Sequence, residues 1–187
     1  MTGNPNDDLL WQQLKTLPAF RALLRAVEAR FYSRIELPDP LLDVGCGDGN
    51  FAQVALPGRR IAAGIDPWWR PLNKAVRAGN YEIPVQALGD RLPFADNYFA
   101  GAFSNSVLEH IPDLQPVLNE VGRVLRPGAN FVITTPSHYF AEYLGGAAFF
   151  ERLQLGGLAE RYRDFFNFIS RHAHTDTPET WAGRLAE

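Results

Sequence analysis

With 187 residues, 46 % of them hydrophobic and 21 % charged, the chain has enough apolar sequence to build a core and is not disordered by composition. Its 18 basic and 21 acidic residues leave a formal net charge of −3, which argues against nucleic acid as a partner, because neutralising phosphates normally needs a basic excess. A single cysteine, Cys46, excludes an internal disulfide framework and a thiolate-rich metal site.

The chain opens on polar and acidic residues, unlike a secretory signal. No apolar run approaches the roughly 18–20 residues needed to span a bilayer, so a soluble, cytoplasmic protein with no membrane span is expected. Leu9, Leu10, Leu14 and Leu17 recur at helical spacing, and Phe20, Leu23, Leu24, Val27 and Phe31 continue the pattern beyond Pro18. Proline there breaks or restarts a helix. Two short helices or one kinked helix are predicted, forming an N-terminal helical cap over residues 1–40.

From residue 41 short apolar runs alternate with amphipathic ones. Strands are predicted at 41–44 (LLDV), 60–66 (RIAAGID), 83–87 (IPVQA), 99–105 (FAGAFSN) and 130–136 (NFVITTP), with helices near 50–56, 68–79 and 113–125. The last helix carries the stripe Leu114, Val117, Leu118, Val121, Val124 and Leu125, with Asp113 placed to cap it and Pro127-Gly128 to close it. Alternation of this kind predicts the α/β class, a mostly parallel sheet covered by helices on both faces. Pro84 assigns its strand to an edge, because proline cannot donate to a ladder. Residues 137–187 read as helical and rich in aromatics, with Tyr139, Phe140, Tyr143, Phe149, Phe150, Tyr162, Phe165, Phe166 and Phe168 crowded together. They suit helices packed on the sheet, or the wall of an apolar acceptor pocket.

The richest stretch runs from Leu41 to Phe51, where a buried strand enters a turn with Gly45, Gly47 and Gly49 and a helix opens at once. Glycines permit positive φ and close approach of a ligand, and the helix N-terminus is expected to offer free N–H groups. A dinucleotide fingerprint would need a third glycine at position 50, which is Asn50, and no G-K-[ST] follows to make a phosphate loop. Asp43 in the strand and Asp48 in the turn would repel a pyrophosphate and suit a ligand with a cationic group. Asp66 ends the second strand, where a carboxylate can accept both hydroxyls of a ribose. Asp90 follows the third strand and can accept an exocyclic amine, while the Leu92 N–H donates to a ring nitrogen.

The segments LLDVGCGDGNFA, GIDP, GDRLPFADNYFAGAFSNSVLEHI and LNEVGRVLRPGANFVITTP, in this order across residues 40–136, resemble the class I S-adenosylmethionine-dependent methyltransferases, and within them the small-molecule branch of the ubiquinone and menaquinone methylases. The resemblance implies a Rossmann-like, doubly wound fold in one domain of residues 1–187, with a cofactor-binding core at 41–136 and a helical C-terminal segment at 137–187. It implies S-adenosylmethionine as cofactor and a small organic methyl acceptor, in which an apolar or lipid-like character would match the aromatic segment. Gly45, Gly47 and Gly49 would approach the methionine part, with Asp43 and Cys46 beside it. Asp66 and Pro67 would lie at the ribose, and Asp90, Arg91 and Leu92 at the adenine. Ser104 or Asn105 would border the transferred methyl.

A sulfonium is an activated methyl donor, so the protein mainly aligns an acceptor about 3 Å from the methyl and excludes water. His110, after the fourth strand, is the candidate base for acceptors that need one. Some relatives bind a divalent metal through E-x-x-E-H at this place, but the first position here is Ser106, so no metal is expected. His138 and Tyr139 are second-tier pocket candidates, and His172 and His174 are expected to face solvent. The family's sheet has seven strands, whereas here five are visible before Glu187, which would leave strand five as an apolar edge open to self-association. A module that binds the cofactor or its demethylated product without catalysis, or an incomplete fragment of a methyltransferase, is the alternative reading.

Overall fold

The computed structural model describes residues 8–142 and 144–186, so Tyr143 of the aromatic segment and the first seven residues of the cap lie outside the described residues. The described residues form two compact units, one from residues 8–105 and 116–134 and one from residues 106–115, 135–142 and 144–186.

In the first unit β1 (Leu41–Val44), β2 (Ile61–Asp66), β3 (Tyr81–Gln86), β4 (Phe99–Asn105) and β5 (Leu125–Thr134) form a parallel sheet in the order β3-β2-β1-β4-β5. The order reverses between β1 and β4, and in open α/β sheets the crevice beyond the carboxyl ends of the strands at such a switch point receives the ligand. β1 is buried throughout and β2 nearly so, which is why both read as continuous apolar runs rather than alternating ones. Among the described residues β3 pairs only with β2, so Pro84 sits on an edge strand as expected.

β5 begins earlier than its sequence implies. Leu125 pairs with Phe99, and regular pairing resumes only at Asn130 opposite Gly101. The Pro127-Gly128 pair therefore lies in an irregular stretch of the strand, with Gly128 at φ 80°, instead of closing a helix. The helix before it, α5 (Gln115–Val124), starts two residues after Asp113.

The N-terminal pattern resolves into two helices, α1 (Leu9–Leu14) and α2 (Ala19–Tyr32), separated before Pro18. The expected apolar stripe points the wrong way. Phe20, Leu23, Val27 and Phe31 are exposed, and the buried row is Ala22, Ala26, Ala29 and Tyr32. Alanines let α2 approach closely, and Tyr32 then reaches the sheet, its hydroxyl donating to the Ser104 carbonyl at 3.1 Å. α3 (Asn50–Ala55) and α4 (Trp69–Ala78) complete this unit.

The second unit holds one 3₁₀ turn (Leu108–His110), α6 (Gly145–Arg152), α7 (Gly156–Ser170) and α8 (Pro178–Ala186). Leu144, Ala147 and Ala159 make its small core, with Phe140, Phe150, Tyr162 and Phe166 packed against it. The Gly145-Gly146 and Gly156-Gly157 pairs open α6 and α7, and the Tyr162 ring occupies the space where a Gly146 side chain would stand. Phe165 and Phe168 are exposed.

Candidate functional site

The turn after β1 carries Gly45, Gly47 and Gly49 at φ 77°, 55° and 76°, the left-handed region that the sequence pattern requires. Most of its N–H groups are bonded within the protein rather than open to a ligand. Gly45 and Cys46 both donate to the Ile65 carbonyl at 2.9 Å, and Gly47 donates to Oδ2 of Asp66 at 2.9 Å. Gly49 donates to the Cys46 carbonyl at 3.0 Å, and Asn50 to Oδ1 of Asp48 at 3.2 Å. The turn is thereby fastened to the end of β2. An anion-binding loop works through free N–H donors, and this one holds them inward while three carboxylates stand around it.

Asp66 is 7 % exposed, and its other oxygen accepts the Trp68 N–H at 2.8 Å. Burial pushes its carboxyl up from the usual carboxylate range, and the two N–H donors hold it down in part. A carboxylate has about four lone-pair sites, so each oxygen keeps one for a hydroxyl donor. Pro67 follows, its carbonyl accepting from the Gln86 amide at 3.0 Å.

Asp43 and Cys46 lie beneath the turn, 4 % and 8 % exposed. The Asp43 carboxylate takes the Tyr81 hydroxyl at 2.6 Å. Burial pushes its carboxyl up to about 7, with the Asp66 charge adding to this and the Tyr81 bond opposing it. Cys46 belongs to the core cluster and burial raises its thiol far above the usual range, which fits a packing residue.

Beyond β3, residues Val85–Leu88 and Asp90–Pro93 line a hollow of about 740 Å³. Asp90 and Arg91 are exposed there. Leu92 departs from expectation, because its N–H already donates to Oε1 of Glu120 at 2.7 Å and is not available to a ring nitrogen. Ser104 and Asn105, at the end of β4, are also engaged. The Ser104 hydroxyl donates to the Val44 carbonyl at 2.8 Å, and Asn105 donates to Thr134 at 2.6 Å while its amide oxygen accepts from Arg25. These bonds stitch β4 to β1, β5 and α2.

Trp68 and Leu88 stand out in the structure, 72 % and 71 % exposed beside Asp66 and Asp90. In the sequence only the WW pair directly after GIDP hints at the first. Arg25 gave no local sign, since its partner Asn105 is 80 residues away.

In the second unit, His110 Nδ1 lies 3.1 Å from the Arg171 carbonyl, which can only accept. The neutral ring therefore carries its proton on Nδ1 and keeps Nε2 basic. His172 and His174 do not face solvent freely. His174 donates through Nε2 to the Ile111 carbonyl at 2.8 Å, and the His172 ring lies 5.1 Å from that of His110. Glu109, His110 and His172 bring one ligand atom each within 4.8 Å of one another, a grouping that the expectation of no metal did not foresee. His138 packs on Tyr139 with ring centroids 3.8 Å apart.

A sequence profile described as a methyltransferase domain matches residues 42–133, the stretch that holds β1, the glycine turn, Asp66 and Asp90. Over this stretch the chain is similar to the class I S-adenosylmethionine-dependent methyltransferases. Among curated methyltransferases, botryococcene C-methyltransferase of Botryococcus braunii is 38 % identical over 128 residues, covering 60 % of this chain and 32 % of that one. Demethylmenaquinone methyltransferase of Symbiobacterium thermophilum is 31 % identical over 115 residues, covering 57 % and 46 %. The chain thus spans about a third to a half of the length of these relatives. A solved SAM-dependent methyltransferase from Thermotoga maritima shares the fold at a TM-score of 0.65 and 17 % identity, over 96 % of this chain and 79 % of that one. S-adenosylmethionine is the cofactor that the family implies.

Proposed function

We propose that the protein transfers the methyl group of S-adenosylmethionine to a small, apolar organic acceptor. The observation that carries this reading is the inward-bonded glycine turn ringed by Asp43, Asp48 and Asp66, an arrangement that disfavours phosphates and favours a cationic ligand. The residues present fit that cofactor: a side chain at Gly47 would meet nothing within 4 Å, so the turn leaves its outer face open. Relatives named for a botryococcene and a demethylmenaquinone support an apolar acceptor.

When bound, S-adenosylmethionine supplies a methyl already activated on sulfur. Asp66 takes the ribose hydroxyls on its two remaining lone pairs. Asp90 would take the exocyclic amine, and Arg91, exposed beside it in the hollow, would lie at the adenine. Cys46 and Pro67 would lie beside the bound cofactor, and Ser104 and Asn105, held at the end of β4, would border the transferred methyl. His110, through Nε2, accepts the acceptor's proton where one must leave. Residues 1–187 serve this function as one methyltransferase-like domain. Among the described residues no helix is long and apolar enough to cross a membrane. The formal net charge of −3 supports a partner other than nucleic acid, and a cytoplasmic site of action belongs to the same proposal. Self-association through the outer edge of β5, which pairs only with β4 among the described residues, belongs to the same proposal.

Incubation with methyl-labelled S-adenosylmethionine and a panel of quinols, phenols and polyprenyl hydrocarbons tests the proposal. Label transfer to at least one acceptor, lost in Asp66→Ala, is expected. Cofactor binding without transfer to any acceptor would favour the non-catalytic binding module.

A further inference from the structure

The loop from Gly89 to Asn97 lies along one row of α5, and its contacts advance in register with the helix. Gly89, at φ +94°, sits against Val117, whose Cγ1 would be 3.1 Å from a Cβ added there. One turn on, Glu120 accepts the Leu92 N–H at 2.7 Å. At the next turn Arg123 donates to the Leu92 carbonyl at 3.2 Å and the Phe94 carbonyl at 3.0 Å, and pairs with Asp96. The Arg123 carbonyl in turn accepts the Asn97 N–H at 3.0 Å. Positions 117, 120 and 123 are neighbours on one helix face, so three successive side chains read three successive points of the loop.

Glu120 and Arg123 are themselves joined by two bonds of 2.8 and 2.7 Å. The Arg123 bonds hold the Glu120 carboxyl down to about 2, so it is ionised whenever the protein is folded near neutrality. Its charge strengthens the bond from the Leu92 N–H, and the planar guanidinium fixes the carbonyls on either side of Pro93. Asp90 lies between the first two of these anchors. Among the described residues it has no such tether of its own in the hollow, so its position follows from theirs.

We propose that Glu120 and Arg123 are positioning residues that set the cofactor's adenine selectivity by holding the loop that carries Asp90. This rests on the reading of Asp90 as the partner of the exocyclic amine. A loop held in one place presents the Asp90 carboxylate at a fixed point, where an amine is a donor and a carbonyl oxygen is a repelled acceptor. A loosened loop lets the carboxylate swing away from either, and the distinction is lost.

The test compares the affinities of S-adenosylhomocysteine and its inosine counterpart, which carries a carbonyl oxygen in place of the amine, for the wild type, Asp90→Ala, Glu120→Gln, Arg123→Lys and Arg123→Ala. The wild type is expected to prefer the adenine form by about tenfold or more. Asp90→Ala and Arg123→Ala are each expected to erase that preference, and the double variant to show no further loss. Arg123→Lys, which keeps the charge without the fork, should not restore it. Glu120→Gln keeps an acceptor and serves as the mild variant should Arg123→Ala fail to fold; it should lower the preference partially. Equal weakening of both ligands in Glu120→Gln or Arg123→Ala would show only support of the fold and overturn the proposal. Retention of the preference in Asp90→Ala would instead overturn the reading of Asp90 on which it rests.

Discussion

The hydroxyl of Tyr81 on β3 donates to the carboxylate of Asp43 on β1 at 2.6 Å, passing over the intervening strand. It can do so because β2 has Gly64 there, opposite Asp43, and a Cβ at that position would lie 2.6 Å from the Tyr81 ring. A buried acid is thus supplied with one donor beneath the glycine turn.

Asp43 makes stability depend on pH. Burial raises its carboxyl from 3.8 to about 7 in the folded protein. Between those values the native state keeps a proton that the unfolded chain has lost, so stability falls as pH rises through that window and levels off above it. Asp43→Asn removes the titration and keeps an acceptor for Tyr81. The variant is expected to match the wild type near pH 4 and to be more stable at pH 8 by on the order of 1–3 kcal/mol, read as the difference in thermal midpoints. A difference that stays constant across this range would contradict the assignment.

Two glycines in the turn should fail in different ways. At Gly49 a Cβ would lie 2.8 Å from the Asn80 amide nitrogen, so Gly49→Ala combines left-handed strain with a clash and is expected to cost on the order of 2–3 kcal/mol. At Gly47 nothing stands within 4 Å, so Gly47→Ala should cost about 1–2 kcal/mol of left-handed strain and yet block the cofactor. Denaturant unfolding and cofactor titration, run side by side, separate the two. Equal stability losses with intact binding in both would refute the distinction.

Trp68 bonds its N–H to Asp66 and leaves its indole 72 % exposed. Cofactor bound at Asp66 is therefore expected to change the fluorescence of Trp68. The signal should vanish in Trp68→Phe and survive in Trp69→Phe. Survival in both variants would place the ligand elsewhere.

The sheet was largely legible from the chain because buried parallel strands are apolar on both faces, and β1, β2 and β4 show this directly. β5 was not, since Pro127-Gly128 is a turn signal and only the pairing of Leu125 with Phe99 reveals that the strand starts before it. The periodicity of α2 located a helix but not its buried face, because a row of alanines with Tyr32 docked in preference to larger apolar residues. In the turn, Gly45, Gly47 and Gly49 announced the backbone shape. The fate of their N–H groups was hidden, because Ile65 and Asp66, which receive them, lie on another strand about 20 residues away. Leu92 was misjudged, and the bond of Ser104 to Val44 went unforeseen, for the same reason: the partners Glu120 and Val44 are distant in sequence.

Calorimetric titration with S-adenosylmethionine of the wild type and Asp66→Ala tests the cofactor site most directly. The wild type is expected to bind in the micromolar range, and the variant at least about tenfold more weakly, since it loses both hydroxyl acceptors and the anchor of the Gly47 N–H. Absence of binding by a folded wild type, or equal binding by the folded variant, would contradict the account.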